Sequence, residues 1–277
     1  MLRLLLAALV GGSLSCAQDI EAQGFSSGAI PVESTAADSV RLLHATPGLP
    51  AARPAGVAPG AASAHVVSVM RAAPRFARIT AAAVGVSALV SLADEPMMRQ
   101  IARLRAPDGS MRQASVVAAA LGGAVPLSLG AALWAGGAVA GNDLVQHVGI
   151  ESTQAVLLSG ALTVGIKGLV GRTRPNASPN DPDEYYPGRG FLDASRASFP
   201  SGHTSAAFAI ATVLSRELSA RYPARRWLIR TALYGAAGSV GFARMYQNAH
   251  WPSDVVTGAA LGTLSGMQSL AWHRGSR

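Results

Sequence analysis

The chain is poor in several things that usually organise a protein. Cys16 is its only cysteine, so no disulfide can form within the chain and packing must hold the fold. Charged residues make up 14% and aromatics 5%, against 49% hydrophobic residues dominated by Ala, Leu, Val and Gly. That balance excludes a charge-rich disordered protein and points to a helical one able to meet lipid. Lysine is almost absent: one Lys, Lys167, stands among 22 arginines. The arginines give a net charge of +8 without forming a block, which argues against a nucleic-acid stripe.

Residues 1–17 read as an export signal, with Arg3 before an apolar stretch and Ser15-Cys16-Ala17 as a small-residue cleavage site. Cys16 also resembles the acylated cysteine of a lipoprotein box, with Ser13 where Leu is usual. Residues 18–64 are rich in Ala, Pro, Gly and Ser and lack apolar periodicity, as expected of a flexible tether. Residues 65–277 are expected to form an all-α domain of about six helices, its active site at neighbouring helix ends.

Within that domain, Ile79–Ala93 reads as a helix broken at Asp94-Glu95-Pro96, and Met97–Arg112 as an amphipathic surface helix. Ala114–Gly141 carries no charge over 28 residues and is the best membrane span in the sequence; the alternative is a buried helix pair split at Pro126. Further apolar runs cover Thr153–Val170, His203–Leu218, Trp227–Ala243 and Val255–Trp272. The last places Gly258, Gly262 and Gly266 on one face, where another helix can approach closely. Asn176–Phe199 is a long polar loop of the kind that covers a site.

The polar residues that stand out fall in three short clusters at the edges of these runs. Lys167 and Arg174 are seven apart, two turns on one helix face, with Pro175 ending the helix behind them. Two like charges at an apolar helix end repel unless an anion joins them. Pro200-Ser201-Gly202-His203 opens the next run, where exposed amides and the helix dipole favour an anion beside a histidine able to pass a proton. Arg244, His250 and Asp254 form the third cluster. Asp254, one turn into a helix begun at Trp251-Pro252, can hold one nitrogen of His250 and leave the other nucleophilic.

Taken together, Lys-x6-Arg-Pro, Pro-Ser-Gly-His and Arg-x5-His-x3-Asp closely resemble the signature of the type 2 phosphatidic acid phosphatase (PAP2) superfamily, over about residues 163–262. One departure is Ala243, where the family usually has Ser. The resemblance implies that Lys167, Arg174 and Arg244 bind phosphoryl oxygens, with Ser201 and the Gly202 amide completing the cradle. It implies His250 as the nucleophile of a phosphohistidine, Asp254 as its orienting group and His203 as the general acid.

Phosphoryl transfer depends on positioning and charge stabilisation. Three cations and a helix start meet that demand with no cofactor and no metal. The expectation is therefore a metal-independent phosphatase acting on a phosphomonoester or diphosphate, with a lipid phosphate favoured by the apolar helices. It would lie at the membrane of the cell envelope with a periplasm-facing site. The alternatives are a soluble periplasmic acid phosphatase, a vanadium-dependent haloperoxidase, and an inactive headgroup-binding protein.

Overall fold

In the computed structural model, residues 77–104 and 109–273 are described; the expected signal, the tether and Cys16 lie outside them. Eight α-helices follow in order: α1 (Ala77–Ser91), α2 (Asp94–Arg103), α3 (Ser110–Ala120), α4 (Val125–Val139), α5 (Asp143–Val170), α6 (Gly202–Arg221), α7 (Arg226–Tyr246) and α8 (Pro252–Trp272). Among the described residues there is no strand, only an isolated bridge between Arg172 and Tyr185, so the fold is all-α as expected. The excess over six helices comes from two bent pairs. α1 and α2 meet at 64° and α3 and α4 at 43°, so each pair occupies the place of one broken helix.

The second bend bears on Ala114–Gly141, which is not one continuous helix: as the alternative of a pair split at Pro126 expects, the chain turns at Leu121–Ala124 and restarts with Pro126 in the first turn of α4. Proline has no amide to give the previous turn, so its natural place in a helix is the start. Among the described residues, the one helix long and apolar enough to cross a membrane by itself is α5, 28 residues long, and each bent pair would add one more crossing if it forms a single broken span. α5 begins where the Asn142 side chain accepts a hydrogen bond from the Val145 amide at 3.1 Å. It ends at Gly171, whose left-handed backbone (φ 63°) and missing Cβ let the chain fold back against the Tyr186 carbonyl.

α6 is the centre of the bundle, packed on α5, α7 and most extensively on α8. The sequence explains the closeness. Gly258, Gly262 and Gly266 of α8 lie directly on α6 backbone, with a Cβ at Gly262 colliding with the Ser205 carbonyl. Small residues also dominate the core, where Ala155, Val156, Ala209, Ile210, Val213 and Leu270 form one cluster and Ala207, Ala211, Ala237 and Val240 another. Serines fill the tighter spots, and Ser205 Oγ donates to Ser159 Oγ at 3.0 Å inside the bundle. A third cluster holds the larger Met98, Ile101, Tyr246 and Trp251, but many large apolar side chains point the other way. Leu89, Val117, Trp134, Val139, Leu157 and Val164 are all exposed, an apolar outer surface on α1, α3, α4 and α5. The ends of α5, α6, α7 and α8 then deliver the polar clusters to one region.

Candidate active site

Lys167, on the last turn of α5, donates from Nζ to the carbonyls of Ala197 at 2.5 Å and Ser198 at 3.2 Å. Arg174 reaches the same strip of chain from elsewhere. Its Nε donates to Ala194 O at 2.8 Å, while its two terminal nitrogens reach Ala249 O at 3.1 Å and Ala197 O at 3.3 Å. The shared Ala197 carbonyl brings the two cations together, but not by the expected route. α5 stops at Val170, so Arg174 is three residues beyond the Gly171 cap rather than two helical turns along one face. The seven-residue spacing was read through a helix end that the left-handed glycine had already imposed.

The Asn176–Phe199 loop is the platform for this. Two short 3-10 turns, Arg189–Phe191 and Ala194–Arg196, aim its carbonyls at the cations, and the Asp193 side chain caps the second by accepting from Ser195 N at 2.8 Å. Arg244, on the last turn of α7, completes the set. It donates to the Gln247 side-chain oxygen at 2.7 Å, and Gln247 in turn donates to the Ser115 carbonyl at 3.0 Å. The buried Nε of Arg244 makes no hydrogen bond. Among the described residues, none of the three cations pairs with a carboxylate within ion-pair distance. Burial and the neighbouring Arg174 push the Arg244 guanidinium down to about 10, and burial lowers Arg174 as well. Both shifts are what unmatched positive charge in a partly dry site produces.

Ser201 is the N-cap of α6, preceded by a cis Phe199–Pro200 bond, and its amide donates to the Asp254 carbonyl at 3.0 Å. Its hydroxyl does not close the helix start by bonding a first-turn amide, as a capping serine would; it shares a 2.9 Å hydrogen bond with the Thr204 hydroxyl. The first-turn amides, Gly202 N–H among them, have no partner four residues back in the helix. Gly202 sits against Thr163 and the Lys167 stem, so the helix start and the α5 cation are neighbours. His203 follows, with the α3–α4 turn at Gly122 and Gly123 packed on it. Burial, then Arg244, Arg174 and Lys167 in turn, push its imidazole down to about 4, so it is neutral near pH 7.

His250 lies in the turn between α7 and α8, almost fully buried. Its Nδ1 is 3.6 Å from Asp254 Oδ2, close enough for strong attraction and just beyond hydrogen-bond length. Burial drives the imidazole down to about 3; attraction to Asp254 opposes this, and Lys167 and Arg174 reinforce it. Asp254, in the first turn of α8, is held on every side. Oδ1 accepts from Arg172 at 2.7 Å; Oδ2 accepts from the Ser198 hydroxyl at 2.5 Å and the Trp251 amide at 2.9 Å. Burial alone would raise this carboxyl, but His250 and the Arg172 guanidinium bring it below its ordinary value.

The structure therefore gathers Lys167, Arg174, Arg244, the α6 start with Ser201, Gly202 and His203, and the His250–Asp254 pair. Sequence reasoning missed Ser198, Arg172 and Asp94, which reach Asp254 or its neighbours over 56 to 159 positions of chain. The sequence signal for Arg172 was its place two residues before Arg174; Asp94 read only as a helix break. A cavity of about 510 Å³ opens beside the cations, lined by Arg174, Arg244, Asn176, Ser195, Gln247 and Ala249. Its lining does not include either histidine. Among the described residues no group of His, Cys, Asp and Glu is arranged to hold a metal.

Comparison with known proteins fits this arrangement. The PAP2 superfamily model matches residues 151–277, the segment that carries all three clusters. A lipid A 1-phosphatase of Porphyromonas gingivalis is 46% identical over 69 residues, 25% of this chain and 15% of that protein. Lipid phosphate phosphatase 1 of Arabidopsis thaliana is 36% identical over 130 residues, 40% of this chain and 39% of that one. The chain thus spans less than half the length of these curated relatives. A PAP2-type phosphatidylglycerolphosphate phosphatase of Bacillus subtilis shares the fold, with a TM-score of 0.51 at 20% identity over 73% of this chain and 97% of that one. The crystal structure of Aquifex aeolicus LpxE aligns with a TM-score of 0.46 at 27% identity, over 63% and 93% of the two chains.

Proposed function

Residues 151–277 belong to the PAP2 superfamily, and from that premise we propose that the protein is a metal-independent phosphatase that works through a phosphohistidine. The observation that carries this is the set of three part-buried cations bonded only to carbonyl and amide oxygens, near enough to His203 and His250 for their charge to disfavour protonation of both rings. A phosphoryl group supplies the negative charge those cations lack, and the α6 amides add donors for its oxygens.

In this reading Lys167, Arg174, Arg244, Ser201 and the Gly202 amide hold the phosphoryl oxygens. The Nε2 lone pair of His250 attacks phosphorus while the bond to the leaving oxygen breaks, and His203, protonated once the anion has bound, gives that oxygen its proton. Nδ1 keeps its proton, which Asp254 stabilises as the ring becomes cationic. Water then attacks the phosphorus with neutral His203 as base, the P–N bond breaks, and phosphate and free His250 return.

A lipid phosphate is the substrate class best supported. The outer surface of α1, α3, α4 and α5 is apolar, α5 is long enough to cross a membrane, and both curated relatives are named for lipid phosphatases. The proposal includes export through residues 1–17, a tether over 18–64, and membrane association with the site on the periplasmic side. Purified full-length protein is expected to release phosphate from phosphatidate, an isoprenyl phosphate or an aryl phosphate equally with and without chelator. Release from none of the three, or only after metal is added, would remove the proposal.

A further inference from the structure

Arg172 is among the largest side chains completely buried in the described part of the chain, and phosphate binding has no use for it. All five of its N–H donors are engaged. One terminal nitrogen donates to Asp254 Oδ1 and Ser253 Oγ, both at 2.7 Å; the other donates to Asp94 Oδ2 at 2.7 Å and Pro182 O at 2.6 Å; Nε donates to Pro182 O at 2.9 Å. The rings of Tyr185 and Trp251 flank it at 5.4 and 5.5 Å. Asp94, from the start of α2, also accepts from the Ser253 amide at 2.8 Å and the Ser253 hydroxyl at 2.5 Å. A chain of charges, Asp94–Arg172–Asp254, therefore runs through the interior and ends against His250.

The charge count along that chain matters. Two carboxylates and one guanidinium leave a net charge of −1 facing the imidazole. Arg172 paired with Asp254 alone would leave zero, and the carboxylate would attract a cationic ring only weakly at this depth. Asp94 takes half of the guanidinium for itself. With its packing and hydrogen bonds complete, the assembly also fixes where the carboxylate stands, a supporting shell of the kind that holds a reactive group in register.

We propose that Asp94 and Arg172 are positioning residues for His250: Arg172 fixes the Asp254 carboxylate, and Asp94 keeps the buried group net negative so that its pull stays on Nδ1. This rests on His250 being the residue that becomes cationic during turnover. Two substitutions at one ion pair should then move His250 in opposite senses. Removing Arg172 unmasks Asp254 and makes the ring easier to protonate. Removing Asp94 hands all of Arg172 to Asp254 and makes it harder. Lys167 and Arg174, the other charged groups that act on His250, stay the same in every variant.

The test is a 15N-histidine NMR titration of the full chain in detergent micelles, with the His250 signal assigned by His250→Asn. Arg172→Gln is expected to raise the His250 titration by one unit or more, Asp94→Asn to leave it at or below its starting value, and Arg172→Lys to keep it near wild type. Phosphate release should lose at least tenfold in kcat in Arg172→Gln and in Asp94→Asn, with KM within about threefold. If Arg172→Gln does not fold, Asp94→Asn/Arg172→Gln, which loses one charge of each sign, should still shift His250 upward but by less, because the guanidinium that is lost touches Asp254 and the carboxylate that is lost with it does not. A rise in both single variants, as loosened packing would give, overturns the proposal; so does no shift in either, or unchanged kcat. The titration needs no turnover, so an inactive wild type would count against the phosphatase reading while the NMR still decides this one.

Discussion

His203 should take up a proton when an anion enters the site. In the empty site its imidazole sits at about 4, held down by burial and by Arg244, Arg174 and Lys167. At pH 5.5 only about 3% of molecules then carry that proton. A dianion among the cations cancels the repulsion. One unit charge at about 4 Å is worth roughly 4 kcal/mol near a protein surface, and returning the group to its ordinary value needs only about 3 kcal/mol. Once restored, the imidazole is protonated in about nine molecules of ten at pH 5.5, a net uptake of close to one proton per site. Sulfate is a suitable probe because it has no proton of its own to exchange at that pH. Titration calorimetry of sulfate in two buffers of different ionisation enthalpy reads the uptake directly. The expected result is about 0.9 proton per sulfate in wild type and little in His203→Gln. Uptake near zero in wild type, or equal uptake in the variant, would refute the electrostatic reasoning.

The remaining outcomes concern other parts of the site. Arg244→Gln removes a cation whose Nε has no protein partner, and kcat/KM should fall roughly 30- to 1,000-fold, the scale for one lost oxyanion contact. His250 is buried and neutral with its folded value near 3, so the unfolded chain takes up its proton first as pH drops. Its contribution to stability is complete above about pH 6.5 and is lost between there and about pH 3; melting temperature against pH should slope less in His250→Asn than in wild type. Gly262→Ala puts a Cβ into the Ser205 carbonyl, and should destabilise by about 1–3 kcal/mol in denaturant melts with a loss of activity, because α8 carries Asp254 and α6 carries His203.

What could be read from the sequence was what is local. Each long helix shows as an apolar run with a polar end, and Pro126 and Pro252 mark helix starts by what proline cannot do. The His250–Asp254 pair is also local, four residues apart across a helix start. Lys167 and Arg174 share the Ala197 carbonyl, but not along one helix face as their spacing suggests, because a glycine cap looks like any other glycine until its φ is seen. Ala114–Gly141 lacks charge throughout, and only the fold shows that the run bends by 43° between Ala120 and Val125. Asp94, Arg172 and Ser198 stayed invisible for a different reason. Their roles come from partners far along the chain, and a buried arginine in a sequence with 22 of them carries no mark of burial.

The central claim is that His250 forms a bond to phosphorus. Brief mixing of full-length protein with a 32P-labelled phosphoester, followed by quenching in base, should trap label that survives alkali and is lost in acid, as a phosphohistidine does. Peptide mapping should place it at His250, and His250→Ala should retain none. Turnover without any trapped label under conditions where the second step is slowed, or label that persists in His250→Ala, would contradict it.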